Sequence, residues 1–440
     1  MSGSDLNTTK QGLKQRLIDQ ALKRRQQPKG APKASEDSVV KVNEYFTRFD
    51  LQPGYQQVEM LKSTGERFHV PDPFFKLHEG TAGATTIING QTCINFASYN
   101  YLGLAHHPEV IKAATDALQR YGSSVSASRA VSGERPIHEE FERALAEQYD
   151  VEDALVFVSG HACNVSTVGH LMGPKDLILH DEYSHNSLLV GAQLSGARRM
   201  SFPHNDFATL EKLLARHREQ FERVLVVIEG LYSMDGDIPD LAEFVRVKKR
   251  YQAWLMVDEA HSFGVLGDKG LGIREHANIP SKDVDIWMGT LSKTLSSCGG
   301  YIAGCKALVE NLRYLAPGFL YSVGIPAQNA AASLTALRIL QKEPERLTNL
   351  HRISSYFRDQ ASTMGFNTGE SIGMAVVPII TGSSVQAVKL SDALLKQNIN
   401  VQPILYPAVP EKSARLRFFL NAEHTQEQID NTLKVLKEKW

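Results

Sequence analysis

Val284-Asp285-Ile286-Trp287-Met288-Gly289-Thr290-Leu291-Ser292-Lys293-Thr294-Leu295 joins an apolar, strand-like run to a lysine set among small and hydroxylated residues, and Ser296-Ser297-Cys298-Gly299-Gly300-Tyr301 follows it. The run from Val284 to Met288 has strand composition, so Lys293 is expected just past a strand end, projecting into a cleft rather than lying on a solvated face. An amine partly desolvated near other charges loses proton affinity, and its neutral form can attack a carbonyl to make a Schiff base. Thr290 and Ser292 stand beside it as hydroxyls able to hold a phosphate. A lysine next to a Gly/Ser-rich turn is also what a merely solvated side chain looks like, and the flanking sequence has to decide.

Upstream, short apolar runs alternate with helix-length segments. The strand candidates are Ala154 to Val158, Leu177 to Leu179, Arg199 to Phe202, Val224 to Ile228, Trp254 to Val257 and Val284 to Trp287. Strands this apolar on both faces, separated by helices, indicate an α/β fold with a mostly parallel sheet covered by helices on both faces. The ligand site of such a sheet lies at the carboxyl ends of its strands. Further upstream, Thr85 to Ile88, Gly90 and Thr92 to Phe96 read as a hairpin, and Pro108 to Tyr121 as a helix.

Polar groups collect at those strand ends. After Val158 comes Ser159-Gly160-His161-Ala162-Cys163-Asn164, running into a helical stretch whose first N–H groups form an anion site or, equally, a plain N-cap. Leu179 leads to Asp181-Glu182-Tyr183-Ser184-His185-Asn186-Ser187, where a lone histidine is more often polar filler than a functional group. Ile228 leads to Glu229-Gly230-Leu231-Tyr232-Ser233-Met234-Asp235-Gly236-Asp237, and Val257 to Asp258-Glu259-Ala260-His261. An aspartate ending a buried apolar strand is costly unless it faces a cation or a strong donor, so Asp258 requires a partner. An anion site, a buried carboxylate, histidines and a lysine at one edge of one sheet are the groups that pyridoxal 5'-phosphate requires: phosphate donors, a carboxylate for the pyridinium nitrogen, and an amine for the aldehyde.

Composition narrows the class. The chain has 440 residues, 42% hydrophobic and 22% charged, which is enough for two packed domains, and its formal net charge of -1 gives no global attraction to nucleic acid or anionic membrane. Cys93, Cys163, Cys298 and Cys305 show no metal spacing and no disulfide framework, which fits a reducing, cytoplasmic setting and predicts no metal site. No apolar run has membrane-spanning length. Residues 1–35 carry eight basic residues against Asp5 and Asp19, with Leu13, Leu17, Ile18 and Leu22 at helical spacing. They read as a solvated leader and linker or as a basic amphipathic helix that docks an acidic partner. Residues 36–99 read as an aromatic-rich arm and the hairpin, 100–325 as the large cofactor-binding domain, and 326–440 as a smaller α+β domain with helices near Gln328 to Gln341 and Gln426 to Glu438.

Several phrases together carry a family resemblance: Asn95-Phe96-Ala97-Ser98-Tyr99-Asn100-Tyr101-Leu102-Gly103-Leu104, Ser128-Arg129 with Ser132-Gly133, Glu229 to Gly236, Asp258-Glu259-Ala260-His261, Gly289 to Lys293, Gln402-Pro403, Tyr406 to Pro410, and Ala414-Arg415-Leu416-Arg417. From Thr92 to the C-terminus the chain resembles the α-oxoamine synthases, fold-type I pyridoxal-phosphate-dependent transferases that include 8-amino-7-oxononanoate synthase and serine palmitoyltransferase. Ser124 to Pro136 and Asp283 to Ser292 look most like the branch found in polyketide pathways, thought to take acyl chains from an acyl carrier protein.

The resemblance implies a decarboxylating condensation of an amino acid with an acyl thioester, carried by a carrier protein or coenzyme A, to give an α-aminoketone. It implies that Lys293 holds the cofactor and later moves the Cα proton, that Asp258 pairs with the ring nitrogen, and that His185 stacks on the ring. His261 and Ser233 are implied near the ring oxygen. Gly160, His161, Thr290 and Ser292 are implied at the phosphate, with Ser322 reaching it from the second subunit of a homodimer, and Asn100, Ser128 and Arg417 at the substrate. Relatives usually carry Phe or Tyr at the His161 position and glycine at the Ser292 position. Relatives use glycine, alanine, serine or arginine as the amino acid, and the sequence does not choose among them. Two rival functions stand beside this one: another pyridoxal-phosphate reaction such as transamination or a lyase reaction, and a non-catalytic partner subunit, against which Lys293, Asp258 and His185 together argue.

Overall fold

A computed structural model describes residues 41–67 and 72–440, so the basic leader expected over residues 1–35 lies outside the described residues. The described residues fall into two compact units, 41–67 and 72–440. In the first, Glu44–Phe46 and Phe49–Leu51 are 3-10 turns and Pro53–Arg67 is a helix. Arg48 ties the turns together through Glu44 at 3.1 Å and Asp50 at 2.6 Å.

The second unit contains thirteen strands among the described residues, β1 (Thr85–Ile88), β2 (Gln91–Asn95), β3 (Asp153–Phe157), β4 (Leu177–Asp181), β5 (Arg198–Phe202), β6 (Val224–Glu229), β7 (Trp254–Asp258), β8 (Ile286–Thr290), β9 (Gly300–Gly304), β10 (Val376–Ile380), β11 (Ile399–Asn400), β12 (Gln402–Ile404) and β13 (Arg415–Phe419). Seven of them form one sheet in the order β3-β9-β8-β7-β6-β4-β5, parallel except for β9, which runs against both neighbours. Period-2 alternation divides the strand side chains between two cores. Leu179, Val226, Val257 and Trp287 face one, while Ile178, Val227, Met256 and Met288 face the other. This is the fold-type I architecture, with helices on both faces and a smaller C-terminal α+β part.

Two small sheets complete it. The expected hairpin forms as β1–β2, and β2 also pairs in parallel with β11, Asn95 opposite Asn400. Asn400 Nδ2 donates to Asn95 Oδ1 at 3.0 Å, so this hairpin is joined to a strand more than 300 positions later in the chain. The other sheet has the order β10-β13-β12. The expected terminal helices are Ala327–Lys342 and Gln426–Lys439, and Pro344–Thr363 and Ser384–Leu395 are two more between them.

Two expectations need correction. The strand before the lysine begins at Ile286 rather than Val284, because the Asp285 carboxylate accepts from Lys248 Nζ and from the Leu255 N–H, each at 2.7 Å, and anchors the chain below the sheet. Gly300–Gly304, absent from the expected strands, is a central strand. Glycine is needed there, since a Cβ on Gly300 would stand 2.6 Å from the Gly160 Cα. Among the described residues no helix is long and apolar enough to cross a membrane.

Candidate active site

The register of β6, β7 and β8 sets the site. Glu229 lies opposite Asp258, and Asp258 opposite Met288, so two carboxylates stand abreast at the carboxyl edge with Thr290 ending the next strand. Lys293 follows in a turn pinned by the buried Leu291 and Leu295. The Leu291 N–H donates to Gly299 O at 2.9 Å, and Thr294 Oγ1 to Phe263 O at 3.0 Å. With its neighbours so fixed, the amine is held in the cleft.

Charge and desolvation act strongly on that amine. Burial lowers the Lys293 pKa to about 8, with Arg417 adding to the fall while Asp258 and Glu229 oppose it. Burial raises the Glu229 carboxyl well above its ordinary range, and nearby Asp258 adds to this. Burial also lowers His185, against the pull of Asp258, with Lys293 and His161 pushing the same way. His261 falls well below its usual value through burial, then through Lys293 and Arg417.

Asp258 is 4% exposed, and its hydrogen-bond partners are neutral: Asn164 Nδ2 donates to Oδ2 at 2.9 Å and the Ala260 N–H to Oδ1 at 3.0 Å. Asn164 Nδ2 also reaches Ser187 Oγ at 3.0 Å, and Ser187 Oγ lies 2.7 Å from His185 Nδ1. The His185 N–H donates to Glu229 Oε1 at 2.7 Å. A chain of polar contacts thus fixes His185 relative to Asp258. Such a buried carboxylate without a hydrogen-bonded cation suits a ligand that brings a protonated ring nitrogen.

The anion end is built by close approach. Gly160 opens the helix Gly160–Leu171, and a Cβ there would lie 3.0 Å from Thr290 Oγ1. Ser159 caps the helix by accepting from the Ala162 N–H, while the Gly160 and His161 N–H groups belong to the first turn, which has no intrahelical acceptors. Thr290 Oγ1 lies 2.9 Å from Ser292 Oγ. Two backbone donors, two hydroxyls and a helix N-terminus fit a phosphate. Phosphate donors, an unpaired buried carboxylate and a low-pKa amine therefore fit pyridoxal 5'-phosphate.

On the C-terminal side, Arg417 from β13 donates to Ser233 O at 3.1 Å, its guanidinium lies 4.5 Å from the Phe419 ring centroid, and its buried Nε has no partner. Tyr99 faces the amine, its ring centroid 5.6 Å from Lys293 Nζ. His261 Nδ1 lies 2.6 Å from the Tyr101 hydroxyl. Asn100 is nearby, its side chain donating to Ala82 O at 2.9 Å and accepting from the Ala105 N–H at 3.1 Å and from Ser296 Oγ at 3.5 Å. Ser128 and Ser322 stand in a separate cluster. Ser128 precedes the π-helical turn Arg129–Gly133, Ser322 lines a small cavity with Arg129 and Phe157, and Arg129 is paired with Glu134 and Glu142. Asn164, Ser187, Tyr99 and Tyr101 all lie inside phrases legible in the sequence, but only their contacts across the sheet mark them out.

Residues 91–436 match the family model for aminotransferase class I and II. The chain belongs to this family. Within it the chain is an α-oxoamine synthase. It is 37% identical to an 8-amino-7-oxononanoate synthase of Thermoanaerobacter pseudethanolicus over 359 residues, covering 82% of this chain and 90% of that protein. Identity to a serine palmitoyltransferase of Bacteriovorax stolpii is 36% over 365 residues, 83% and 86% of the two chains. The solved structure of a Sphingomonas wittichii serine palmitoyltransferase superposes with a TM-score of 0.85 at 32% identity, covering 89% of this chain and 98% of that one. The chain is accordingly a pyridoxal-phosphate-dependent acyltransferase that condenses an amino acid with an acyl thioester.

Proposed function

We propose that Lys293 and Arg417 divide the handling of the amino acid between them, Arg417 holding its carboxylate and Lys293 moving its Cα proton. One observation carries this reading: a buried amine with a pKa near 8 shares its cleft with a guanidinium whose Nε is buried and unpartnered. A carboxylate is the group that completes such a guanidinium. Fixing it orients the Cα substituents, so the position of Arg417 selects which bond is presented to Lys293.

When bound, pyridoxal phosphate supplies an aldehyde for amines and a ring that withdraws electrons from the amino acid's Cα. Asp258, held by Asn164 and the Ala260 N–H, would keep a proton on the ring nitrogen. His185 would cover one ring face, His261 and Ser233 would attend the ring oxygen, and Gly160, His161, Thr290 and Ser292 would take the phosphate. The neutral fraction of Lys293 accepts the Cα proton, and the same amine returns a proton after carbon dioxide has left. The acyl donor enters from solvent, and its thiol departs as the new carbon–carbon bond forms.

The remaining features belong to the same reading. A homodimer shares its sites, Ser322 of one subunit completing the phosphate site of the other. Tyr321 at 83% exposure beside it, and Phe49 at 90% in the arm, are apolar surfaces that a second copy would cover. Residues 100–325 act as the cofactor domain, 326–440 as the smaller one, and the basic leader recruits an acyl carrier protein in the cytoplasm. The resemblance of Ser124 to Pro136 supports a role in secondary-metabolite or lipid biosynthesis. Titrating the holoenzyme with single amino acids tests the core of this: one amino acid should shift the visible band, and Arg417→Met should weaken that response at least tenfold with the band itself retained. An unchanged response would reject the assignment.

A further inference from the structure

Tyr101 is fully buried, and its hydroxyl lies 2.6 Å from His261 Nδ1. Its backbone is fixed at both sides, the N–H donating to Tyr99 O at 2.8 Å and the carbonyl accepting from the Ala422 N–H at 2.8 Å. The imidazole is clamped as well. Its ring is nearly parallel to Phe419 at 14° with centroids 6.2 Å apart, and Tyr99 meets it edge-on at 6.0 Å. Neither ring can turn away without disturbing the packing between the loop at Tyr99 to Gly103 and the end of β13.

The proton in that contact can be placed by satisfying donors. If the Nδ1–H of His261 donated to the phenol, the Tyr101 O–H proton would need a second acceptor in a fully buried position, where an unmet donor costs about 1–3 kcal/mol. If Tyr101 donates, one bond satisfies both atoms. The surroundings of His261 lead the same way: burial, then Lys293, Arg417 and His185, lower its proton affinity, and Tyr99, Tyr101 and Phe419 pack against its ring. A second proton on the ring is therefore disfavoured, which agrees with the low proton affinity of His261 and the high one of Tyr101.

We infer that Tyr101 is a positioning residue which, by donating to Nδ1, locks His261 in the Nε2–H tautomer and so presents a neutral hydrogen-bond donor, never an acceptor, to the ligand in the site. Which nitrogen of a histidine carries the proton is set by the bond the other makes. The consequence rests on the proposed placement of His261 at the cofactor's ring oxygen. There, an Nε2–H donor stabilises negative charge on that oxygen and weakens its hold on a shared proton, whereas the other tautomer would repel the same oxygen.

Two measurements separate this inference from the reading beneath it. In protein with 15N-labelled histidine, the His261 signals are assigned by their loss in His261→Gln, and this needs no cofactor. The wild type should show a protonated Nε2 and an unprotonated Nδ1, with Tyr101→Phe showing a mixture of tautomers. A protonated Nδ1 in the wild type overturns the inference. In the holoenzyme, Tyr101→Phe should move the pH titration of the bound cofactor's visible band upward by about one unit, since a charged-acceptor hydrogen bond is weakened. A titration that does not move while the 15N result holds would reject the placement of His261 at the ring oxygen and leave the tautomer lock standing.

Discussion

Arg415 Nη1 lies 2.6 Å from Asp235 Oδ1 and 2.9 Å from Met234 O, bringing the small sheet onto the loop that follows β6. Arg417, two residues along the same strand face, holds Ser233 O of that loop. Gly236 closes the contact at φ 70, where a Cβ would meet Val376 O at 2.1 Å. The guanidinium assigned to the substrate carboxylate is thus aimed by a second arginine that does not itself face the lysine. Arg415→Met should raise the KM for the amino acid on the order of tenfold, leave the cofactor band intact, and lower stability by about 3 kcal/mol, the usual cost of breaking a buried pair. Steady-state kinetics with chemical denaturation would check this, and an unchanged KM would dissociate Arg415 from substrate binding.

The depressed Lys293 pKa has a kinetic consequence. Only the neutral amine attacks an aldehyde, so capture of pyridoxal phosphate by the cofactor-free protein should accelerate about tenfold per pH unit below pH 8 and level off above it. Stopped-flow absorbance would follow it. A rate still climbing steeply to pH 10 would mean an ordinary lysine.

Much of this was legible because the sheet strands are apolar on both faces and end on polar residues. Asp258, His185 and Lys293 each sit just past such a run. The central strand Gly300–Gly304 escaped because glycines carry no periodic signal, and their meaning, close approach to Gly160, depends on the non-local order of strands. Asn164 meets Asp258 across 94 positions, and Tyr101 meets His261 across 160. Nothing in local spacing encodes those pairings. Asn100 sits within a telling motif, but its contacts with Ala82 O, the Ala105 N–H and Ser296 Oγ are likewise not encoded in local spacing.

His204 lies between Asp181 at 3.0 Å and Asp237 at 2.8 Å, joining the loops that carry His185 and Ser233. Burial alone would lower its pKa, but bonds to the two carboxylates override this and raise it to about 10. Its folded value exceeds the unfolded one near 6.5, so its stabilisation is complete below pH 6.5 and disappears as pH rises through 10. His204→Gln should cost about 2 kcal/mol at pH 6, allowing for solvent screening, and little at pH 10.5. Equal losses at both pH values would exclude a protonated His204.

The Gly160–Gly300 approach predicts a cofactor defect from a strand that carries no assigned site residue. Gly300→Ala forces the Gly160 backbone away and should weaken pyridoxal-phosphate affinity at least tenfold, measured by equilibrium dialysis. Affinity like that of the wild type would show that the phosphate is held elsewhere.

The most direct test of the central claim follows the carboxylate. The holoenzyme is given an amino acid labelled in its carboxyl carbon, with and without an acyl thioester, and labelled carbon dioxide is counted against free thiol. The α-oxoamine synthase reading predicts equal amounts of both, only when both substrates are present, and neither in Lys293→Ala. Carbon dioxide released without the thioester, or thiol released without carbon dioxide, would contradict it.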